Sequence, residues 1–221
     1  MGLRIHYGGT FDPVHRGHLA IARAARDQLQ VAVRLLPAAD PPHRPAPGAP
    51  ASQRAEMLGL AIEDDAGLIL DLRELERARR QPQTPSYTVD TLRELRAELG
   101  ARQPLAWLVG ADSLLGLPGW HEWEALFELA HFIVADRPGS PLEQRLPAPL
   151  QKALQGRWAR HERELFAAPA GRLLHLQAPL RSESASEVRE RIAHGGDWRA
   201  LVPERVADYI THHRLYGIRA P

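Results

Sequence analysis

Residues 8–18 read GGTFDPVHRGH. The stretch follows the short apolar run Leu3–Tyr7 and precedes helical spacing in which Leu19, Ile21, Ala22, Ala25 and Leu29 share one stripe. The chain therefore passes from a strand into a helix through a turn that holds two glycines, a threonine, a carboxylate and two histidines. Gly8 and Gly9 are expected to let the backbone approach a ligand closely or adopt a positive φ, and Thr10 adds a hydroxyl. The spacing places His18 in the first helical turn and His15 three residues before it. Both imidazoles then face the positive helix N-terminus and its exposed N–H groups, a setting that suits anionic phosphate oxygens. A lone Gly-Gly pair or a single His is more readily a turn or surface feature; the whole string is far harder to obtain by accident.

Outward from this turn, short apolar runs recur at 3–7, 31–36, 68–72, 105–109, 132–135 and 173–176, each read as a strand. Between them lie helical stripes, among them Met57, Leu58 and Ala61, and then Val89, Leu92, Leu95 and Leu99 with Gly100 as a terminator. Strands alternating with helices predict an α/β fold, a Rossmann-like, doubly wound and mainly parallel sheet with helices on both faces. Ligands in such sheets lie beyond the carboxyl ends of the strands. Two stretches break the alternation. Residues 37–50, PAADPPHRPAPGAP, carry six prolines and exclude regular helix, and 137–149 form a second Pro-rich connection. Ser184 and Glu187 fit a capping box that opens a helix running to about His194, and Pro203–His213 reads as another helix. One domain spanning 1–221 is expected, with a helical C-terminal portion from about 184.

Composition narrows the chemistry. With 221 residues of which 44% are hydrophobic, the chain can build a sizeable core. No apolar run approaches the roughly 18 residues of a membrane span, and no leader pattern opens the sequence, so no membrane association and a cytoplasmic location are expected. The absence of cysteine excludes disulfides, thiolate metal sites and cysteine nucleophiles. A net charge of +1 gives no support to nucleic-acid binding. Among 28 Lys and Arg residues only Lys152 is lysine, and no P-loop surrounds it. Phosphates must therefore be held by Arg, His, hydroxyls and backbone N–H groups.

With these residues in view, His15-Arg16-Gly17-His18 resembles the His-x-x-His signature of the nucleotidylyltransferase superfamily. The longer form with Phe11-Asp12-Pro13 is similar to the bacterial nicotinate-nucleotide adenylyltransferases. PPHR at 41–44, PSYTVDTL at 85–92, GADSL at 110–114 followed by Trp120, RPG at 137–139 and SASEVR at 184–189 agree with that family in order and spacing. The resemblance implies that ATP and nicotinate mononucleotide are joined to give nicotinate adenine dinucleotide and pyrophosphate, with Mg²⁺ carried by the ATP phosphates and no metal site on the protein. It implies His15 and His18 as catalytic donors to phosphate. Around ATP it places Gly8, Gly9, Thr10 and Phe11, then Asp112 on the ribose, with Arg137, Ser184, Ser186 and Arg189. Around the mononucleotide it places His43, Arg44, Tyr87, Thr88 and Trp120, Thr88 on the nicotinate carboxylate and Trp120 stacked on the ring.

Four positions depart from the family pattern: Ala38 where an Asn is common, His121 where an aromatic Tyr is frequent, Glu183 in place of Ile and Ser186 in place of Thr. The alternatives weighed beside this reading are the same reaction on nicotinamide mononucleotide and a non-catalytic nucleotide-binding domain. Homo-oligomerisation stays open, since no stretch carries an interface pattern.

Overall fold

The computed structural model describes residues 2–39, 47–136, 142, 146–176 and 183–218. Six strands, β1 (Arg4–Gly9), β2 (Val33–Pro37), β3 (Leu68–Leu70), β4 (Leu105–Gly110), β5 (His131–Ala135) and β6 (Leu173–His175), form one sheet. Their order is β3-β2-β1-β4-β5-β6 and every pairing is parallel. The six apolar runs of the sequence correspond to these strands in order, with ends shifted by a few residues. Continuous apolar character follows from burial on both faces.

The helices are α1 (Arg16–Leu29), α2 (Ala51–Ile62), α3 (Arg73–Arg80), α4 (Thr88–Leu99), α5 (Ala111–Leu115), α6 (Leu126–Leu129), α7 (Ala148–Leu154), α8 (Glu164–Ala167), α9 (Ala185–Ala193) and α10 (Glu204–His212). On one face Ile5, Tyr7, Leu35, Leu108 and Ile133 pack with Leu19 and Ala22 of α1, Met57 of α2, Val188 of α9 and Val206 of α10. On the other, Leu36, Trp107, Val109 and Phe132 pack with Val89, Leu92 and Leu95 of α4. Gly100 ends α4 with φ at +88°, as its place after the stripe suggested. Helix α7 begins at Ala148, inside the stretch expected to be a Pro-rich connection. Helix α3, RELERARR, lacks an apolar stripe and was not anticipated.

Because sheet order reverses between β1 and β4, the loops after these two strands leave in opposite directions and open a crevice at their carboxyl ends. The turn 8–18 leaves β1 at this crevice and the GADSL stretch leaves β4 beside it.

Arg54 fixes the floor of that turn. It lies on the buried stripe of α2 with Met57 and Leu58 and is fully buried. Its guanidinium donates to the carbonyls of Thr10 at 2.5 Å, Ala39 at 2.8 Å and Ala49 at 3.1 Å. Arg54→Met keeps the stem and removes the donors from three carbonyls. A loss of about 3 kcal/mol or more is expected, at roughly 1–3 kcal/mol per orphaned buried group. The urea midpoint at constant m-value measures it; a loss below about 1 kcal/mol would contradict this role for Arg54.

His6 on β1 is almost entirely buried, with Nε2 3.9 Å from Asp71 Oδ2 and Nδ1 lacking a hydrogen-bond partner among the described residues. Burial pushes its pKa down to about 3; Asp71 opposes the shift, and Arg73, Arg34 and Arg4 add to it. The folded protein therefore resists a proton that the unfolded chain takes up below about 6.5. Stability is intact above that pH and is lost as pH falls from about 6.5 to about 3. The slope from this group is about 1.4 kcal/mol per pH unit. His6→Gln should flatten the pH dependence of unfolding free energy in that window by about this amount; parallel curves for the two proteins would refute the assignment.

Candidate active site

His15 is the N-cap residue of α1, with extended backbone at φ −137° and ψ 170°. Its Nδ1 accepts from the His18 N–H at 3.3 Å, and His18 Nδ1 accepts from the His15 N–H at 3.3 Å. Two histidines thus form the reciprocal cap that Ser and Glu more often supply. Their rings stack at 3.6 Å between centroids, 28° from parallel. A ring nitrogen that accepts from an N–H carries no proton, so each neutral imidazole holds its hydrogen on Nε2. Protonating either Nδ1 would set N–H against N–H. The cap therefore fixes the tautomer as well as the orientation of both rings.

The left-handed backbone, one of the two uses expected of the glycines, is not what they supply. Neither Gly8 nor Gly9 takes a positive φ; Phe11 does, at +49°. A Cβ on Gly8 would lie 2.2 Å from Trp107 Cζ2, and one on Gly9 would lie 3.0 Å from the Phe11 ring. Gly8 thus makes room for the buried Trp107 of β4, and Gly9 for Phe11. The Phe11 side chain is itself in the core and meets His18 edge-on at 5.0 Å, so it supports the histidine, and any nucleotide contact at Phe11 falls to its backbone. Gly17 is confined as well: a Cβ there would lie 3.0 Å from His15 Nδ1 and 3.1 Å from the Glu183 carbonyl.

That second contact brings the start of α9 against the start of α1. Ser184 caps α9, its Oγ accepting from Glu187 N–H at 3.1 Å. Glu187 turns to Arg191 at 2.6 Å, and the helix is capped from the serine side. Arg189 donates to the Asp12 carbonyl at 2.5 Å and to Ser186 Oγ at 3.4 Å, with its guanidinium 3.6 Å from the Asp12 carboxylate. The Asp12 carboxylate also accepts from Gly48 N–H at 2.7 Å, Ala49 N–H at 3.1 Å and Tyr216 Oη–H at 2.9 Å. Burial and then Asp12 raise the Tyr216 hydroxyl above the usual phenol range, which keeps it a donor. The first turn, the end of the Pro-rich loop, α9 and the C-terminal turn meet at this one carboxylate.

Across the sheet, α4 also starts at the carboxyl edge. Tyr87 precedes it, and no side chain among the described residues caps it. The Tyr87 ring stacks on His121 at 4.3 Å, and Trp120 packs half-buried beside Tyr87 on the second core. His121 Nε2 lies 3.3 Å from Glu122, whose carboxylate is gripped by Arg93. Tyr87, Thr88 and Trp120 are therefore brought together, and His121 joins them. Asp112 is exposed in the first turn of α5. Ser113 lies within that helix and is not its cap, Gly110 holding that position. At Ala38 the backbone N–H donates to the Gly9 carbonyl at 2.9 Å, tying β2 to the turn. His43, Arg44 and Arg137 lie outside the described residues.

Sequence reasoning missed Arg54, Tyr216 and a buried pair on α3, Glu74 and Arg77. Only Arg54 left a signal, as a charge at a stripe position three residues before Met57. Among the described residues no group of three or more His, Asp or Glu side chains is placed to hold a metal ion, and no helix is long and apolar enough to cross a membrane.

A family model described as Cytidylyltransferase-like matches residues 6–191. A protein of Stenotrophomonas maltophilia named "Probable nicotinate-nucleotide adenylyltransferase" is 70% identical over 221 residues, the full length of both chains. One of the same name from Xylella fastidiosa (strain 9a5c) is 48% identical over 98% of this chain and 97% of its own. The solved Plasmodium falciparum nicotinic acid mononucleotide adenylyltransferase complexed with NaAD superimposes with a TM-score of 0.72 over 99% of each chain at 16% identity, a likeness of fold. The capped histidine pair, the order of the motifs and these relatives agree: the chain belongs to the cytidylyltransferase-like family and, within it, to the nicotinate-nucleotide adenylyltransferases.

Proposed function

We propose that the protein joins ATP and nicotinate mononucleotide, the mononucleotide phosphate attacking the α-phosphorus of ATP to give nicotinate adenine dinucleotide and release pyrophosphate. The observation that carries this reading is the meeting of two helix N-termini, those of α1 and α9, over Gly17, with two Nε2–H imidazoles capping α1 there. Such a concentration of N–H donors and positive helix ends suits a triphosphate. A phosphate monoester is an adequate nucleophile and pyrophosphate a good leaving group, so alignment and charge stabilisation supply the catalysis without a general base.

In this reading His15 and His18 donate to ATP phosphate oxygens as charge shifts toward the leaving group. Ser184, Ser186 and Arg189 extend the donor surface along α9, Arg189 being held in place by Asp12. The backbone of Gly8, Gly9, Thr10 and Phe11 lines the same turn. Asp112, exposed at the end of β4, is positioned to accept from ribose hydroxyls. On the other side of the crevice, the start of α4 at Tyr87 and Thr88 offers N–H and O–H donors to a carboxylate, and Trp120 offers a ring face. From the family resemblance, His43, Arg44 and Arg137 add contacts to phosphate. Imidazole N–H, hydroxyl and guanidinium donors suit phosphate oxygens and not a cation, so Mg²⁺ belongs here as a companion of ATP that neutralises charge on the leaving pyrophosphate.

Pyrophosphate release measured with ATP, Mg²⁺ and each mononucleotide tests the reading: turnover with nicotinate mononucleotide, at a higher kcat/KM than with nicotinamide mononucleotide, is expected. No release with either would instead indicate a nucleotide-binding domain. His18→Ala should lower kcat by about two orders of magnitude, the usual loss for a transition-state donor. A kcat within about threefold of the parent would remove His18 from the chemistry.

A further inference from the structure

Helix α3 takes no part in the reaction described above, yet it carries two charged side chains that are nearly buried, Glu74 and Arg77. Both point at the start of α4. Glu74 Oε1 accepts from Thr91 Oγ1–H at 2.8 Å and Oε2 from Ser86 Oγ–H at 3.2 Å. Arg77 Nη2 donates to the same two hydroxyls, at 2.9 Å to Ser86 and 2.8 Å to Thr91. Its Nη1 lies 2.8 Å from Glu94 Oε2. With Glu74 ionised, each hydroxyl accepts from the guanidinium and donates to the carboxylate, and the Thr91 hydroxyl also lies 3.4 Å from the Tyr87 carbonyl. Burial raises the Glu74 carboxyl above its usual range, while Thr91, Arg77 and Ser86 pull it down.

Ser86 and Thr91 bracket Tyr87 and Thr88. The stretch leading in, Gln81 to Pro85, is wholly exposed, so no packing fixes the chain before α4, while at the helix start Tyr87 and Val89 pack on the second core. The polar ring adds directional bonds to that packing, beside the first helical bond, from the Thr91 N–H to the Tyr87 carbonyl at 3.3 Å. Leu75 of α3 packs with Ala39, which follows β2, and with Ala55 of α2, which ties the ring to those two elements.

We propose that Glu74 and Arg77 are positioning residues for the mononucleotide end of the site. Through Ser86 and Thr91 they set the place at which Tyr87 and Thr88 present their donors to the planar anionic ring. This inference rests on the assignment of that end to nicotinate mononucleotide. A displaced helix start weakens binding of this substrate and leaves the triphosphate end, built on α1 and α9, unchanged.

Thr91→Val removes one hydroxyl at nearly constant volume, and Thr91→Ser retains it. Steady-state pyrophosphate release is expected to show the KM for nicotinate mononucleotide raised about tenfold in Thr91→Val, equivalent to roughly 1.4 kcal/mol. The KM for ATP and the kcat at saturation should stay within about twofold of the parent, and Thr91→Ser should recover the parent KM. Ser86→Ala, altered at a less buried position, should repeat the KM shift and serves in place of Thr91→Val if that variant does not fold. A KM for the mononucleotide unchanged in both, or KM values for both substrates rising together, overturns the proposal. If the parent enzyme releases no pyrophosphate with nicotinate mononucleotide, the assignment of that end fails first, and the positioning role falls with it.

Discussion

The Asp12 carboxylate joins at the crevice parts of the chain far apart in sequence that also share one apolar core through Phe11, Val14, Ala49, Val188 and Leu215. It accepts from two successive backbone N–H groups at Gly48 and Ala49, from the Tyr216 hydroxyl, and faces the Arg189 guanidinium. A carboxylate offers about four lone-pair directions, and here partners from three distant segments meet them. Buried at 5% exposure, it would be costly to leave without those partners. Satisfying this group adds directional bonds to the apolar packing that sets α9 near α1, whose N-termini meet at Gly17.

The rest of the site is held in the same way. Apolar packing builds the two cores on either side of the sheet, and it is tolerant of small shifts of side chains. Hydrogen bonds to buried charges are not, because distance and direction both count. Arg54 ties three carbonyls around the first turn, Asp12 ties that turn to α9 and the C-terminal turn, and Glu74 with Arg77 ties α3 to the start of α4. The scaffold is apolar, whereas the precision of the crevice comes from buried polar groups whose loss leaves orphaned partners.

The histidine pair joins structure to chemistry within one element. By capping α1 with Nδ1, each ring satisfies a backbone N–H and in doing so places its own proton on Nε2. A Ser in place of either histidine could cap the helix and would offer no outward imidazole donor. A histidine elsewhere could donate and would not have its tautomer set. The near-absence of lysine, with Lys152 alone, agrees with a turn whose positive potential comes from helix ends and Arg189, with the neutral imidazoles adding Nε2–H donors.

Local patterns in the sequence define the six strands in order and the main helical stripes between them, since burial on two faces or one imposes such patterns directly, whereas α3 carries no stripe to announce it. The sequence by itself also determined the turn at 8–18 and its fitness for phosphate, because both histidines and the helix they cap lie within one short segment. Only the tertiary structure decided the strand order that opens the crevice between β1 and β4, and the reason for Gly8, which is the Trp107 ring of a distant strand and not a backbone angle. It alone decided that Asp12, Arg54, Glu74 and Arg77 are buried hubs. A charged residue looks the same in sequence whether it faces water or a partner, and here the partners are backbone groups and hydroxyls brought near by folding, which no local pattern records.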